Sequence, residues 1–193
     1  RALLVGPGWG TERTTRCFLQ KLLQEEREVQ RSRVGFATNR PQHRESEQDK
    51  ISSLPPLVLD ADGLKALAEI DGWPDILPPR SVLTPHPGEM AVLTGLKISE
   101  IQSDRPAIAL RYAHEWGHVI VLKGAFTIVA SPDGRAAINP FATAALASAG
   151  TGDVLAGLIT GFVAQGLDPY DAAVAGAYVH GLSGELAANA MGT

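Results

Sequence analysis

The sequence predicts an α/β fold built on a mostly parallel sheet, and three observations predict it. Short runs of aliphatic and β-branched residues alternate with stretches of helical period. Glycine, aspartate, histidine or lysine follows the end of each early run. The composition, 45% hydrophobic and 20% charged over 193 residues, is that of an ordinary globular chain with a sizeable core, so a single domain over 1–193 is expected.

The elements follow in order. Residues 2–5 read as a buried strand running into Gly6-Pro7-Gly8-Trp9-Gly10, and Thr11 then caps a helix carrying Cys17, Phe18, Leu22 and Leu23. Residues 57–60 form the next strand, ending in Asp60-Ala61-Asp62-Gly63 before a helix near 64–68. A third strand, 82–84, enters Pro85-His86-Pro87-Gly88-Glu89 and a helix with Met90 and Leu93. Asp104 caps a helix whose Ala109, Ala113 and Trp116 share a face and which Gly117 stops. Strands at 119–122 and 126–130 flank Lys123-Gly124-Ala125, and Ser131-Pro132-Asp133-Gly134 makes a hairpin turn before 136–139. The helix after Asp153 is apolar nearly all round, so it is expected to be buried, with Gly157 and Gly161 admitting a close neighbour. A last helix covers about 172–190.

Residues 27–56 stand apart. They carry Arg27, Arg31, Arg33, Arg40, Arg44 and Lys50 with few apolar residues and no period, and read as a mobile charged insertion or, alternatively, a basic docking patch.

Charge and cysteine usage exclude several classes. A net charge of -4 leaves no excess of Lys and Arg for a nucleic-acid backbone or an anionic membrane, which favours small-molecule chemistry. The single Cys17 cannot form an internal disulfide, and it makes no zinc pattern with five scattered histidines, so a reducing cytoplasm is expected. No run of 18 apolar residues and no signal segment is present. Because Arg1 leads straight into a strand, the chain reads as lacking its N-terminal part.

The most informative stretch runs from Asn139 to Gly166, centred on Ala149-Gly150-Thr151-Gly152-Asp153. Two glycines where a loop becomes a helix let successive N–H groups point into one concavity, and the helix adds its positive end, which makes an anion site. An acid in such a site suggests a base facing the group that attacks a phosphate. The alternative is a glycine-rich turn with Asp153 as N-cap.

The other polar signals fall at the same edge, where open parallel sheets bind ligands. Each has a plainer reading. Gly6 to Gly10 suits a tight turn, Asp60 and Asp62 suit helix caps, His86 suits a satisfied half-buried histidine, and Lys123-Gly124 suits an exposed charged tip.

Val82-Leu83-Thr84-Pro85-His86-Pro87-Gly88-Glu89, Leu122-Lys123-Gly124 and Ala149-Gly150-Thr151-Gly152-Asp153-Val154-Leu155-Ala156-Gly157 resemble the signatures of the ADP- or ATP-dependent NAD(P)H-hydrate dehydratases, members of the ribokinase-like superfamily. Gly6-Pro7-Gly8-Trp9-Gly10 and Leu59-Asp60-Ala61-Asp62-Gly63-Leu64 match in order. The resemblance implies a ribokinase-like three-layer α/β/α sandwich that phosphorylates the ring hydroxyl of hydrated NADH or NADPH and eliminates phosphate. It implies Asp153 as base, the N–H groups of Gly150, Thr151 and Gly152 around the transferring phosphoryl, and Lys123, Gly124, Ala125, Phe126 and Thr127 along the adenine nucleotide. Gly8, Gly10 and His86 would meet the substrate with Asp153, and Glu89 would position Mg2+ through water. ADP or ATP is the implied co-substrate. A homo-oligomer and an NAD(P)HX epimerase domain or protein are the implied partners. Two other readings stay open: a small-alcohol kinase of the superfamily, acting on a hydroxymethylpyrimidine or thiazole, and an inactive nucleotide-binding fragment.

Overall fold

A computed structural model describes residues 1–33 and 54–192, with backbone alone over 25–33. Its sheet runs in chain order through β1 (Leu3–Val5), β2 (Leu57–Leu59), β3 (Val82–Leu83), β4 (Val119–Leu122), β5 (Ile128–Ala130) and β6 (Ala136–Ile138). Neighbours from β1 to β4 pair in parallel, whereas β4, β5 and β6 pair antiparallel. The change follows from the connections, since a turn such as 131–134, closed by Gly134 N–H donating to the Ser131 carbonyl (3.0 Å), can only reverse the chain.

Helices cover both faces. They are α1 (Arg13–Arg33), α2 (Asp62–Ala68), α3 (Trp73–Ile76), α4 (Pro87–Thr94), α5 (Ile98–Ser103), α6 (Arg105–Trp116), α7 (Thr151–Ala164) and α8 (Pro169–Met191). The pleat sorts the strand side chains. Leu57, Leu59, Leu83, Ile120 and Leu122 point into one core with Leu19, Leu64, Met90, Ile101 and Trp116 from the helices before β4. Their neighbours Val58, Val82, Val119 and Val121 point into a second core with Leu155, Ile159 and Val163 of α7 and Ala173 and Ala177 of α8. Two buried faces on one sheet make the expected three layers. Larger leucines fill the first core, while valines and alanines let α7 and α8 lie close on the second.

Most expected signals operate as read. Asp104 accepts the N–H of Ala107 at 3.1 Å and so caps α6, and Gly117 ends it in the left-handed region at φ 73°. The described residues contain no helix long and apolar enough to cross a membrane. Four readings change. Helix α1 starts at Arg13, and its first backbone bonds run from Thr15 N–H (3.1 Å) and Arg16 N–H (3.3 Å) to the carbonyl of Glu12 rather than of Thr11. It also continues to Arg33, inside the expected insertion; the rest of that segment, through residue 53, lies outside the described residues. Helices α3 and α5, four and six residues long, went unread because they are too short to show a period. Helix α7 buries only one face, Val154 is exposed, and methyl groups built on Gly157 or Gly161 would meet nothing within 4 Å. Close approach belongs instead to α8, where Gly176 seats Ile159, Gly181 seats Phe141 and Gly184 seats Leu146.

Candidate active site

Because β1 to β4 are parallel, the residues following each strand meet at one edge, and a cleft of about 630 Å³ opens there. Asp60 and Ala61 line it after β2, His86 after β3, and Lys123, Gly124, Ala125 and Thr127 after β4; Gly150, Thr151, Gly152 and Asp153 close it from the start of α7.

The anion loop has the form its sequence implies. Gly150 takes a left-handed conformation (φ 87°) that ordinary residues avoid, and the Thr151 hydroxyl is held within 2.7 Å of the Leu146 carbonyl and 2.8 Å of the Ser148 carbonyl. Val154 N–H donates to the Gly150 carbonyl, but no protein group among the described residues accepts the N–H of Gly152 or Asp153. Those two donors, at the positive end of a 14-residue helix, face the cleft. Asp153 is the third residue of α7 rather than its cap, and its exposed carboxylate makes no hydrogen bond or ion pair within the described residues. It is an uncommitted acceptor beside two uncommitted donors.

Beneath the loop lies a charge cluster of two buried carboxylates and a partly buried lysine. Lys123 Nζ sits 2.5 Å from Asp60 Oδ1 and 3.6 Å from Glu89 Oε2, with side-chain exposures of 16%, 1% and 6% respectively. A methyl group on Gly152 would lie 3.5 Å from that nitrogen and 3.6 Å from Asp60 Oδ2, so the glycine brings the loop backbone directly over the pair. Lys123 is therefore a partly buried ion-pair partner in the cleft and not an exposed tip. Nor do Asp60 and Asp62 cap α2, whose N-cap is Ala61 with no side-chain cap; Asp62 accepts the Gly10 N–H at 3.1 Å and pairs with Lys65, which together lower its pKa, the Lys65 hydrogen bond most.

His86 is the N-cap of α4. Its Nδ1 accepts from Gly88 N–H (2.9 Å) and Glu89 N–H (3.2 Å), while Glu89 Oε2 accepts the His86 N–H at 2.8 Å, a reciprocal capping box. With Nδ1 accepting, the geometry assigns the ring proton to Nε2 on a half-exposed side chain at the cleft wall. Glu89 lies under the floor, touching both Lys123 and His86. Gly8, Gly10 and Phe126 stand outside the lining: the first two sit in the loop after β1, tied to the cleft edge by the Gly10 to Asp62 bond, and Phe126 is exposed with φ 53°.

Several contributors escaped the sequence reading. Arg105, first residue of α6, donates to the carbonyls of Ala125 (2.5 Å), Leu122 (2.9 Å) and Lys123 (3.1 Å), stapling the loop after β4; burial lowers its pKa. Asn139, Phe141, Leu146 and His180 complete the far wall. Burial also pushes the His180 pKa down, assisted by the nearby Lys123 charge and opposed by a hydrogen bond with the Thr151 backbone. Only Asp104, the cap of α6, marked the neighbourhood of Arg105; Asn139, Phe141 and Leu146 lie in the stretch from Asn139 to Gly166 but carried no role of their own there, and nothing local marked His180.

No cluster of three His, Cys, Asp or Glu able to hold a metal exists among the described residues. Glu89 offers one carboxylate, whose Oε2 already accepts from the His86 N–H and lies 3.6 Å from Lys123 Nζ while Oε1 lies 3.4 Å from His86 Nε2, so the donor set fits Mg2+ held through water and phosphate rather than bound directly.

Residues 39–193 match the family described as NAD(P)H-hydrate dehydratase. The chain is 50% identical over 141 residues to the bifunctional NAD(P)H-hydrate repair enzyme of Moorella thermoacetica, an alignment covering 71% of this chain and 26% of the relative. It is 40% identical over 139 residues to the ADP-dependent (S)-NAD(P)H-hydrate dehydratase of Neisseria meningitidis, covering 71% and 47%. Among solved structures, the ADP/ATP-dependent NAD(P)H-hydrate dehydratase of Bacillus subtilis, co-crystallized with ATP/Mg2+ and soaked with CoA, superposes with TM-score 0.72 at 31% identity over 98% of this chain and 58% of its own. A hydroxyethylthiazole kinase from Pyrococcus horikoshii, at 18% identity and TM-score 0.66, covers 100% of this chain and 65% of its own and shares the fold. The chain thus spans about a quarter to just over half the length of the dehydratase and repair-enzyme relatives compared.

Proposed function

The chain belongs to the NAD(P)H-hydrate dehydratase family, and from that premise we propose that it dehydrates hydrated NADH or NADPH at the expense of ADP or ATP. The observation that carries the proposal is the uncommitted Asp153 carboxylate beside the free N–H groups of Gly152 and Asp153, with Lys123 beneath them. In this reading the nucleotide lies along Gly124 to Thr127, and its terminal phosphate rests on the start of α7. The N–H donors take up charge as the phosphoryl group transfers.

Asp153 accepts the proton of the ring hydroxyl while that oxygen bonds to the terminal phosphorus and the bond to the leaving nucleotide breaks. Phosphate then departs with the ring oxygen as the ring carbon–oxygen bond breaks, and loss of a proton from the neighbouring ring carbon to water forms the double bond that restores the dihydronicotinamide. His86 and the loop of Gly8 and Gly10 border the dinucleotide. Glu89 is the residue to hold Mg2+ through water, where the ion would neutralise phosphate charge. The names of the Neisseria and Bacillus proteins support the nucleotide requirement, and the bifunctional relative supports partnership with an NAD(P)HX epimerase domain, either in a longer chain or in an oligomer. A cytoplasmic setting suits that chemistry.

The test is incubation of the chain with hydrated NADH, with and without ADP or ATP, while the absorbance of reduced nicotinamide is followed. Recovery that depends on nucleotide is expected. Nucleotide bound without any recovery would favour the reading as a binding fragment.

A further inference from the structure

We propose that Asp60 is a positioning residue that fixes the Lys123 ammonium under the anion loop and, by doing so, weakens ground-state binding of the adenine nucleotide. The inference rests on the reading of the cleft as a nucleotide site. Asp60 lines that cleft although its side chain is only 1% exposed, and it makes the shortest contact that Lys123 has, 2.5 Å against 3.6 Å to Glu89. Its second oxygen lies beneath Gly152, 3.6 Å from where a side chain there would begin.

The floor therefore holds two carboxylates for one ammonium. A phosphate arriving on the loop meets a lysine whose charge is already compensated, together with a like charge behind it, and in a partly dry site neither effect is well screened. What the arrangement gains is location. Lys123 has a flexible four-carbon stem, and without a buried acceptor at its tip the ammonium would be free to follow the nucleotide rather than stay under the transferring group. Asp60 thus exchanges affinity for placement. Arg105 acts in the same sense on the backbone, since it grips the carbonyls of Leu122, Lys123 and Ala125.

The informative variant is Asp60→Asn, which keeps the shape and one acceptor oxygen but removes the charge. ADP affinity, measured by calorimetry with a chelator present, is expected to tighten roughly 3–10-fold, while kcat for dehydration falls roughly tenfold or more. A residue that served only the fold would lower Tm without tightening ADP. Glu89→Gln provides the second measurement should the first variant fail to fold: the charge removed is farther from Lys123, so a smaller gain in ADP affinity is expected. Unchanged or weaker ADP binding in a folded Asp60→Asn protein, or in folded Glu89→Gln if only that one folds, overturns the inference and leaves the functional reading standing. A parent chain that binds no ADP removes both.

Discussion

Asp153 and Lys123 look alike in the sequence, as charged residues beside glycines, but their surroundings give them opposite characters. Asp153 is exposed and uncommitted, so Asp153→Asn should leave the fold intact, keep ADP affinity the same or slightly tighter, and cut turnover on the order of 10²–10⁴-fold, as loss of a general base does. Steady-state rates with hydrated NADH check this, and near-parental turnover would make Asp153 a bystander. Lys123 is committed, partly buried itself and paired with two buried carboxylates. Lys123→Ala strands two carboxylates without a countercharge, and it should cost on the order of 3–5 kcal/mol of stability by urea titration besides weakening ADP. A loss near zero would mean that the cluster relaxes into water. A third residue sets a pH limit. His118 is buried with Nε2 3.0 Å from the Pro74 carbonyl, so that nitrogen donates and the ring is neutral; burial depresses its pKa. The unfolded chain takes up a proton near pH 6.5 that the folded one refuses, so this contribution is complete above that pH and is lost as pH falls below it, by at most about 1.4 kcal/mol per unit. His118→Gln should flatten the fall in Tm between neutral and mildly acidic pH, and an unchanged slope would assign it to other groups.

At the scale of elements, the close approach expected of the α7 glycines belongs to those of α8. Gly157 faces open space in a regular helix, so Gly157→Ala should stabilise by roughly 0.5–1 kcal/mol through lost backbone freedom in the unfolded chain. Gly181→Ala should do the reverse. Its methyl would collide with the Phe141 ring, and overpacking of this kind costs roughly 1–3 kcal/mol while displacing a wall of the cleft, so Tm and ADP affinity should fall together. Equal effects of the two substitutions would refute this division. The error has a physical cause: a helical glycine carries no mark of what lies opposite it, and the pairing of α8 with residues 139–147 is settled only by the fold. The same cause hid Arg105 and His180. What was legible depended on repetition, because a strand followed by glycines or by a polar residue recurs four times, and parallel pairing then brings Asp60, His86, Lys123 and the loop after β1 to one edge whatever the details of packing. Short helices such as α3 fell below that threshold.

For the molecule as a whole, the sheet is the element common to both cores. Successive residues of β4 alternate between them, Ile120 and Leu122 on one side and Val119 and Val121 on the other, so neither face can lose its packing while the strand keeps its place. The three tryptophans, Trp9, Trp73 and Trp116, all belong to the first core or pack against it. Ile159→Ala, made in the second, should nonetheless shift the tryptophan-fluorescence transition and the helical circular-dichroism transition by the same amount, corresponding to about 2–5 kcal/mol. Separated transitions would show two units instead of one. The contact between Lys123 and Asp60 joins positions 63 apart in sequence. Contacts between positions so distant wait until the intervening chain has found its form, whereas helices such as α6 are settled by their neighbours. A chain that leaves the ribosome before β4 is made holds Asp60 and His86 but no lysine beneath a loop, and the α7 loop follows later still. On the proposed function, chemical competence is thus among the last properties acquired during synthesis, and an unfinished chain would have no means of consuming nucleotide.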